Sequence, residues 1–172
     1  SSDLDTPIYI TGMSYGALSA HAKTALGKAA TMVGTASCTG DGGMLQAERD
    51  ASEKLIYQVL PSRYGFDPHH LVQAQAIEIV VGQGAKPGTG GLLMGVKVLD
   101  EIAEMRDLPA GVDQRSPARH PDWLGPDDLA VKIEQLREAT DWRIPVHVKL
   151  GASRVADDVK LAAKAGADAI VI

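Results

Sequence analysis

Val146-His147-Val148-Lys149-Leu150-Gly151, then Val155, Val159 and Ala162 at helical spacing, then Gly166-Ala167-Asp168-Ala169-Ile170-Val171-Ile172, decide the fold. A β-branched run stops at a glycine. An amphipathic segment follows, and a Gly-Ala-Asp turn leads into a second, wholly apolar run. The pattern is strand, helix, strand. Strands apolar at consecutive positions are covered on both faces, and such strands joined by helices form a parallel sheet.

The same alternation extends upstream. A helix begins at Pro126 or Asp127 and carries Leu129, Ile133 and Leu136 on one face. Before it, residues 109–126 hold Pro109, Pro117, Pro121 and Pro126 without periodicity and read as a loop. Val98 to Arg106 reads as a short helix, and Ala76 to Gln83 as a strand feeding the glycine loop Gly84 to Gly91. Pro68 to Ala74 reads as one helix. Leu55 to Leu60 is an apolar run compatible with helix or strand, and Gln46 to Ala51 is polar with no assigned element. At the start, Pro7 to Gly12 reads as a strand and Ser19 as the N-cap of a helix that stops at Gly34. Thr35 to Thr39 is a second strand running into Gly40-Asp41-Gly42-Gly43.

Two α/β architectures remain: a doubly wound open sheet and a (β/α)8 TIM-type barrel. A barrel needs about 250 residues, whereas this chain has 172 and closes on an apolar strand. The expectation is the first part only of a barrel that continues beyond Ile172.

Composition narrows the function. A chain 45% hydrophobic and 23% charged is globular, and 18 glycines beside 4% aromatics suit an α/β protein with glycine-rich ligand loops. The net charge of −5 and the absence of a basic run argue against nucleic acid and anionic membrane as partners. No apolar stretch reaches the roughly 18 residues of a membrane helix. The single Cys38 rules out an internal disulfide framework, and the cytoplasm is the expected compartment. The five histidines, among them adjacent His69 and His70, lack metal-ligand spacing, so no metal is expected.

Four segments carry a family likeness: Thr11-Gly12-Met13-Ser14-Tyr15-Gly16-Ala17-Leu18-Ser19, Ser37-Cys38-Thr39-Gly40-Asp41-Gly42-Gly43, Gln58-Val59-Leu60-Pro61-Ser62-Arg63-Tyr64-Gly65, and Gln83-Gly84-Ala85-Lys86-Pro87-Gly88-Thr89-Gly90-Gly91. In this order and spacing the chain resembles the flavin domain of glutamate synthase from about Pro7 to Ile172. The resemblance implies that residues 1–172 are the N-terminal part of a single FMN-binding barrel. It implies reduction of the imine of 2-oxoglutarate and ammonia to glutamate. Ammonia would come from a glutaminase-type domain or subunit, and electrons through an iron–sulfur cluster whose ligands lie outside this chain. An oligomer is expected.

Flavin chemistry asks the protein for position and charge. Reduction builds negative charge toward flavin N1 and O2, which a cation stabilises. Lys149, at the end of a strand, is the candidate, with a surface lysine as the bland alternative. In the family the loop carrying Met13, Ser14 and Tyr15 sets backbone amides against the isoalloxazine edge. Gln83 ends a strand with an amide able to donate to flavin O2 or O4 and accept from N3–H. Ser37 and Cys38 end another, although Cys38 alone also fits a small buried residue. Lys86 and Arg106 align with 2-oxoglutarate contacts of the family, as anion clamps, with Lys86 also at the reacting centre. Asp41 stands where many members carry Glu, to handle the imine proton or bind ammonium. Arg63 suits a flavin edge, a substrate carboxylate or a structural salt bridge.

Two positions depart from the family pattern: Leu92 replaces a common Gln, and Val80 a common Lys. Both make the pocket less polar. This motivates an alternative, N-methylglutamate synthase-like amine exchange on glutamate, with Leu92 and Met94 lining the amine site. An alternative of another class is a non-catalytic partner subunit of a complete barrel.

Overall fold

The computed structural model describes residues 4–84 and 90–172. Helix α1 (Ala20–Met32) begins at Ser19, whose hydroxyl accepts from Ala22 N at 3.2 Å. It ends ahead of Gly34, which takes φ +66°. Strand β1 (Ser37–Cys38) leads to α2 (Gln46–Ala51) and β2 (Leu55–Val59). Next come α3 (Pro68–Leu71), capped by Asp67, and β3 (Ala76–Val80). An inserted unit follows: β4 (Leu92–Leu93), a 3-10 turn (Gly95–Lys97), α4 (Asp100–Arg106) and β5 (Gln114–Arg115). The chain then runs through α5 (Pro126–Ala139), β6 (Val146–Lys149), α6 (Val155–Lys164) and β7 (Ala169–Val171).

The main sheet is parallel and five-stranded, in the order β1-β2-β3-β6-β7. Its order never reverses along the chain. A doubly wound sheet requires a reversal, so that alternative is excluded and the strands form an arc of the barrel type. The antiparallel pair β4-β5 stands apart from it.

Register sorts the side chains. Leu55, Tyr57 and Val59 of β2, Ile77 and Ile79 of β3, and Val146 and Val148 of β6 meet Leu71, Leu129, Ile133, Leu136 and Ala162 from the helices in one core. Each such buried aliphatic contributes about 1.5–3 kcal/mol. The opposite, inner face is mixed. Cys38, Ile56 and Ala76 pack under Tyr9. One step further along, Gln58, Glu78 and His147 stand in register, and then Val80 beside Lys149. The strands are therefore apolar on the helix side and mixed inside, not wholly apolar on both faces.

Several expected boundaries move. Residues 7–12 form no strand; the segment is tied to the residue just ahead of β1 by Ile10 N donating to Ala36 O at 2.9 Å. The polar stretch 46–51 is a helix because Glu48 turns inward to a buried lysine. Leu55 to Val59 resolves as a strand. The β3 strand stops at Val80 rather than Gln83, as the chain turns through Gly82. Helix α3 stops at Leu71, and α4 starts at Asp100 after the 3-10 turn. The proline-rich loop contains β5. The Gly-Ala-Asp turn has a clear role: Asp168 accepts from Val146 N at 2.8 Å and pairs with Arg137 at 2.9 Å, fastening β7 to β6.

Candidate functional site

Ligand-bearing residues of such sheets gather beyond the C-terminal strand ends. Here that rim is built from Gly40 to Gly43 after β1, Leu60 to Arg63 after β2, Val81 to Gly84 after β3 and Leu150 to Ser153 after β6.

The segment Met13–Tyr15 lies against the β1 end. A Cβ on Gly40 would stand 2.6 Å from both Met13 C and Ser14 N, and Gly40 takes φ +76°, so only glycine permits this approach. The Lys23 ammonium holds the same junction. It donates to Met13 O at 2.7 Å and Thr39 O at 2.8 Å, and pairs with Glu48 at 2.9 Å. Lys23 and Glu48 are both 2% exposed. Burial raises the Glu48 carboxyl to about 7 despite Lys23. Tyr15 is buried, its hydroxyl donating to Glu101 at 2.7 Å and its carbonyl accepting from Arg106 at 2.9 Å.

Arg106 is buried rather than solvated. Besides Tyr15 O it reaches Gln114 Oε1 at 3.2 Å, and it lies against Gly42, where a Cβ would meet Nε at 2.7 Å. Its Nε has no partner among the described residues. Burial lowers its pKa, and neighbouring Asp41 and Tyr64 oppose that shift. Asp41 accepts from Ser62 at 2.6 Å and Ser116 at 3.0 Å. It shares a cavity of about 90 Å³ with Val80, Gln83 and Gly90. Gln83 also borders a cavity of about 610 Å³ lined by Gly84, His120, Trp123 and Gly151. Gly84 and Gly151 leave their rim open: a Cβ on Gly84 would meet nothing within 4 Å.

Lys149 is on the inner face, its side chain 11% exposed, with Nζ donating to Thr11 Oγ1 at 3.1 Å. It is therefore not a surface lysine. Glu78, fully buried, lies 3.9 Å from that ammonium and accepts from Tyr9 OH at 2.7 Å and Gln58 Nε2 at 2.6 Å.

Other expected residues sit apart. Ser37 turns to the helix side, within 2.9 Å of Ser52. Cys38 is buried low on the inner face, where burial and Glu78 push its thiol up. Arg63, at φ +57°, pairs with Asp122 at 2.7 Å. Leu92 and Met94 are exposed and line none of these cavities. Lys86 lies outside the described residues. No group of three metal-binding side chains occurs among the described residues, and no helix among them is long and apolar enough to cross a membrane.

Lys23, Glu48, Gln58 and Glu78 escaped the sequence reading. Part of the signal for the strand pair was present: one polar residue inside each of two otherwise apolar runs, Gln58 in Leu55 to Val59 and Glu78 in Ala76 to Val80, which the register sets opposite each other. The Lys23–Glu48 pair joins two helices 25 residues apart and left no local sign.

Comparison with known proteins fixes the family. The model for a conserved region in glutamate synthase matches residues 1–172. A glutamate synthase large subunit-like protein of Rhizobium meliloti is 60% identical over 169 residues, covering 98% of this chain and 38% of its own length. The archaeal glutamate synthase (NADPH) of Methanocaldococcus jannaschii is 45% identical over 170 residues, covering 98% and 33%. The chain thus spans about a third of the length of these relatives. Among solved structures, a mandelate oxidase variant with an FMN adduct superposes with TM-score 0.56 at 19% identity, covering 97% of this chain and 48% of that one. That likeness gives the fold, the first part of a (β/α)8 barrel. By the match along its whole length, the chain belongs to the glutamate synthase family.

Proposed function

We propose that residues 1–172 form the N-terminal part of one FMN-binding barrel, and that the protein containing them reduces the imine of 2-oxoglutarate and ammonia to glutamate. The observation that carries this is the rim itself: a buried-stem lysine at the end of β6, an amide at Gln83, and the Met13–Tyr15 backbone pinned over Gly40. This donor set fits a flavin, which needs a cation toward N1, a two-way amide at its pyrimidine edge and close backbone. The FMN-bound structural neighbour supports the same reading. When bound, the flavin supplies the electron pair.

The protein's own groups supply the remainder. Lys149 stabilises negative charge toward N1. Gln83 orients the ring. Asp41, fixed by Ser62 and Ser116, binds the ammonium or moves the imine proton. Lys86 holds a carboxylate of the dianionic substrate. Arg106, its terminal nitrogens taken by Tyr15 O and Gln114 and its Nε packed against Gly42, braces the rim from beneath. Arg63, committed to Asp122, supports the rim. A glutaminase-type partner delivers ammonia, and an iron–sulfur cluster outside this chain delivers electrons in the cytoplasm.

The test is glutamate formation by the full-length protein from 2-oxoglutarate and ammonium with a chemical reductant. Asp41→Asn is expected to lower kcat, and Lys86→Met to raise the KM for 2-oxoglutarate. No glutamate from ammonium and no N-methylglutamate from methylamine would sink the enzyme reading and leave the partner-subunit alternative.

A further inference from the structure

The inner face carries a carboxylate that the proposed reaction does not use. The geometry points to Glu78 as a positioning residue that anchors the Lys149 ammonium and offsets part of its charge, so setting how strongly the flavin site favours negative charge. This deepens the flavin reading of Lys149 and rests on it.

Glu78 sits in the middle of β3 with no exposed surface. An ionised carboxylate there needs partners from every side. Tyr9 OH donates to Oε2 at 2.7 Å, and Gln58 Nε2 to Oε1 at 2.6 Å. Lys149 Nζ stands 3.9 Å from the same Oε1. Burial and the bond to Glu78 push the Tyr9 hydroxyl up, which keeps it a donor. His147 is the other titratable group on this row: it is in register with Glu78, and its burial lowers its pKa while Glu78 opposes the shift. Cys38 lies one row below, its thiol also pushed up by burial and by Glu78. Among the described residues facing Glu78, Lys149 is thus the cation.

The arrangement explains two sequence features together. A glutamate in the centre of Ala76-Ile77-Glu78-Ile79-Val80 is costly unless a cation meets it. Lys149, two positions past His147 on the neighbouring strand, is aimed there by the register. The lysine is then held between Thr11 and Glu78. A carboxylate this close to a cation lowers the positive potential that the ammonium projects. At an effective dielectric near 20, removing it changes an anion's affinity at the next site by on the order of tenfold.

The full-length protein loaded with FMN is titrated with sulfite, whose binding to flavin N5 reports positive potential toward N1. The midpoint potential of the flavin is measured alongside. Lys149→Met is expected to weaken sulfite binding. Glu78→Gln, which keeps an acceptor for Tyr9, is expected to tighten it about tenfold and to raise the two-electron potential by about 30 mV. In case Glu78→Gln alone folds poorly, the pair Lys149→Met with Glu78→Gln removes both buried charges. It is expected to bind sulfite more tightly than Lys149→Met alone. If Lys149→Met has no effect, the flavin reading of that lysine fails and the inference with it. If Lys149→Met weakens sulfite binding but neither variant carrying Glu78→Gln departs from its parent, Glu78 is a packing residue and only the inference is overturned.

Discussion

Replacing Lys23 by methionine removes one ammonium and strips the donor from Met13 O, Thr39 O and Glu48 at once, contacts of 2.7, 2.8 and 2.9 Å. It also strands Glu48, one of whose oxygens already lacks a partner among the described residues. Deleting one partner of a buried pair costs about 3–5 kcal/mol. For a domain of this size each kcal/mol moves Tm by about 2–4 °C, so a fall of roughly 10 °C is expected. Thermal unfolding of the FMN-loaded full-length protein measures it. Hydrogen exchange in peptides covering residues 11–18 and 37–44 shows where protection is lost. The double variant Lys23→Met with Glu48→Leu removes the stranded carboxylate and should recover about 2 kcal/mol, within the usual range for contacting residues. A single-variant loss under about 1 kcal/mol would refute the reasoning. So would a double variant as unstable as the two losses summed.

Three further outcomes follow from the same geometry. Gly40→Ala forces a Cβ to 2.6 Å from the Met13–Ser14 backbone at φ +76°; it should cost about 2–3 kcal/mol and weaken FMN retention, read by fluorescence of released flavin. Burial holds the His120 imidazole down to about 4, with its Nε2 donating to Val80 O at 2.7 Å. The folded state therefore binds fewer protons than the unfolded state between pH 6.5 and about 4. His120 contributes stability that is present above pH 6.5 and lost as pH falls through about 4, at most about 3 kcal/mol. His120→Phe should flatten that part of the acid-unfolding profile; an unchanged slope counts against it. Cys38 is 2% exposed with its thiol pushed up by burial; a thiol reagent should label it only after denaturant is added, and rapid labelling of the native protein would contradict the placement.

Much of the fold was legible because local chemistry and burial agree in its last third. Pro126 and Asp128 start α5, Gly166 ends α6, and Asp168 fastens the neighbouring strands. Legibility failed where the deciding partner is distant. The 46–51 helix depends on Glu48 reaching Lys23, and the 7–12 segment stays irregular because its bonds beside β1 are too few for a ladder. At the site, Lys149 was legible from its place in a buried strand. The carboxylate that meets it was not, because Glu78 and Lys149 are neighbours only through the β3–β6 register, across the inserted β4–β5 unit. Arg106, expected as an anion clamp, is enclosed by Gly42 and Tyr15 O, distant neighbours that its own helix does not reveal.

The most direct test of the central claim is the visible spectrum of the purified full-length protein, with the flavin identified after denaturation. The account predicts a yellow protein that releases one FMN per chain, and a shifted spectrum when Lys149 is replaced by methionine. A colourless protein that takes up no added FMN would contradict it and reduce Lys149 and Gln83 to structural residues.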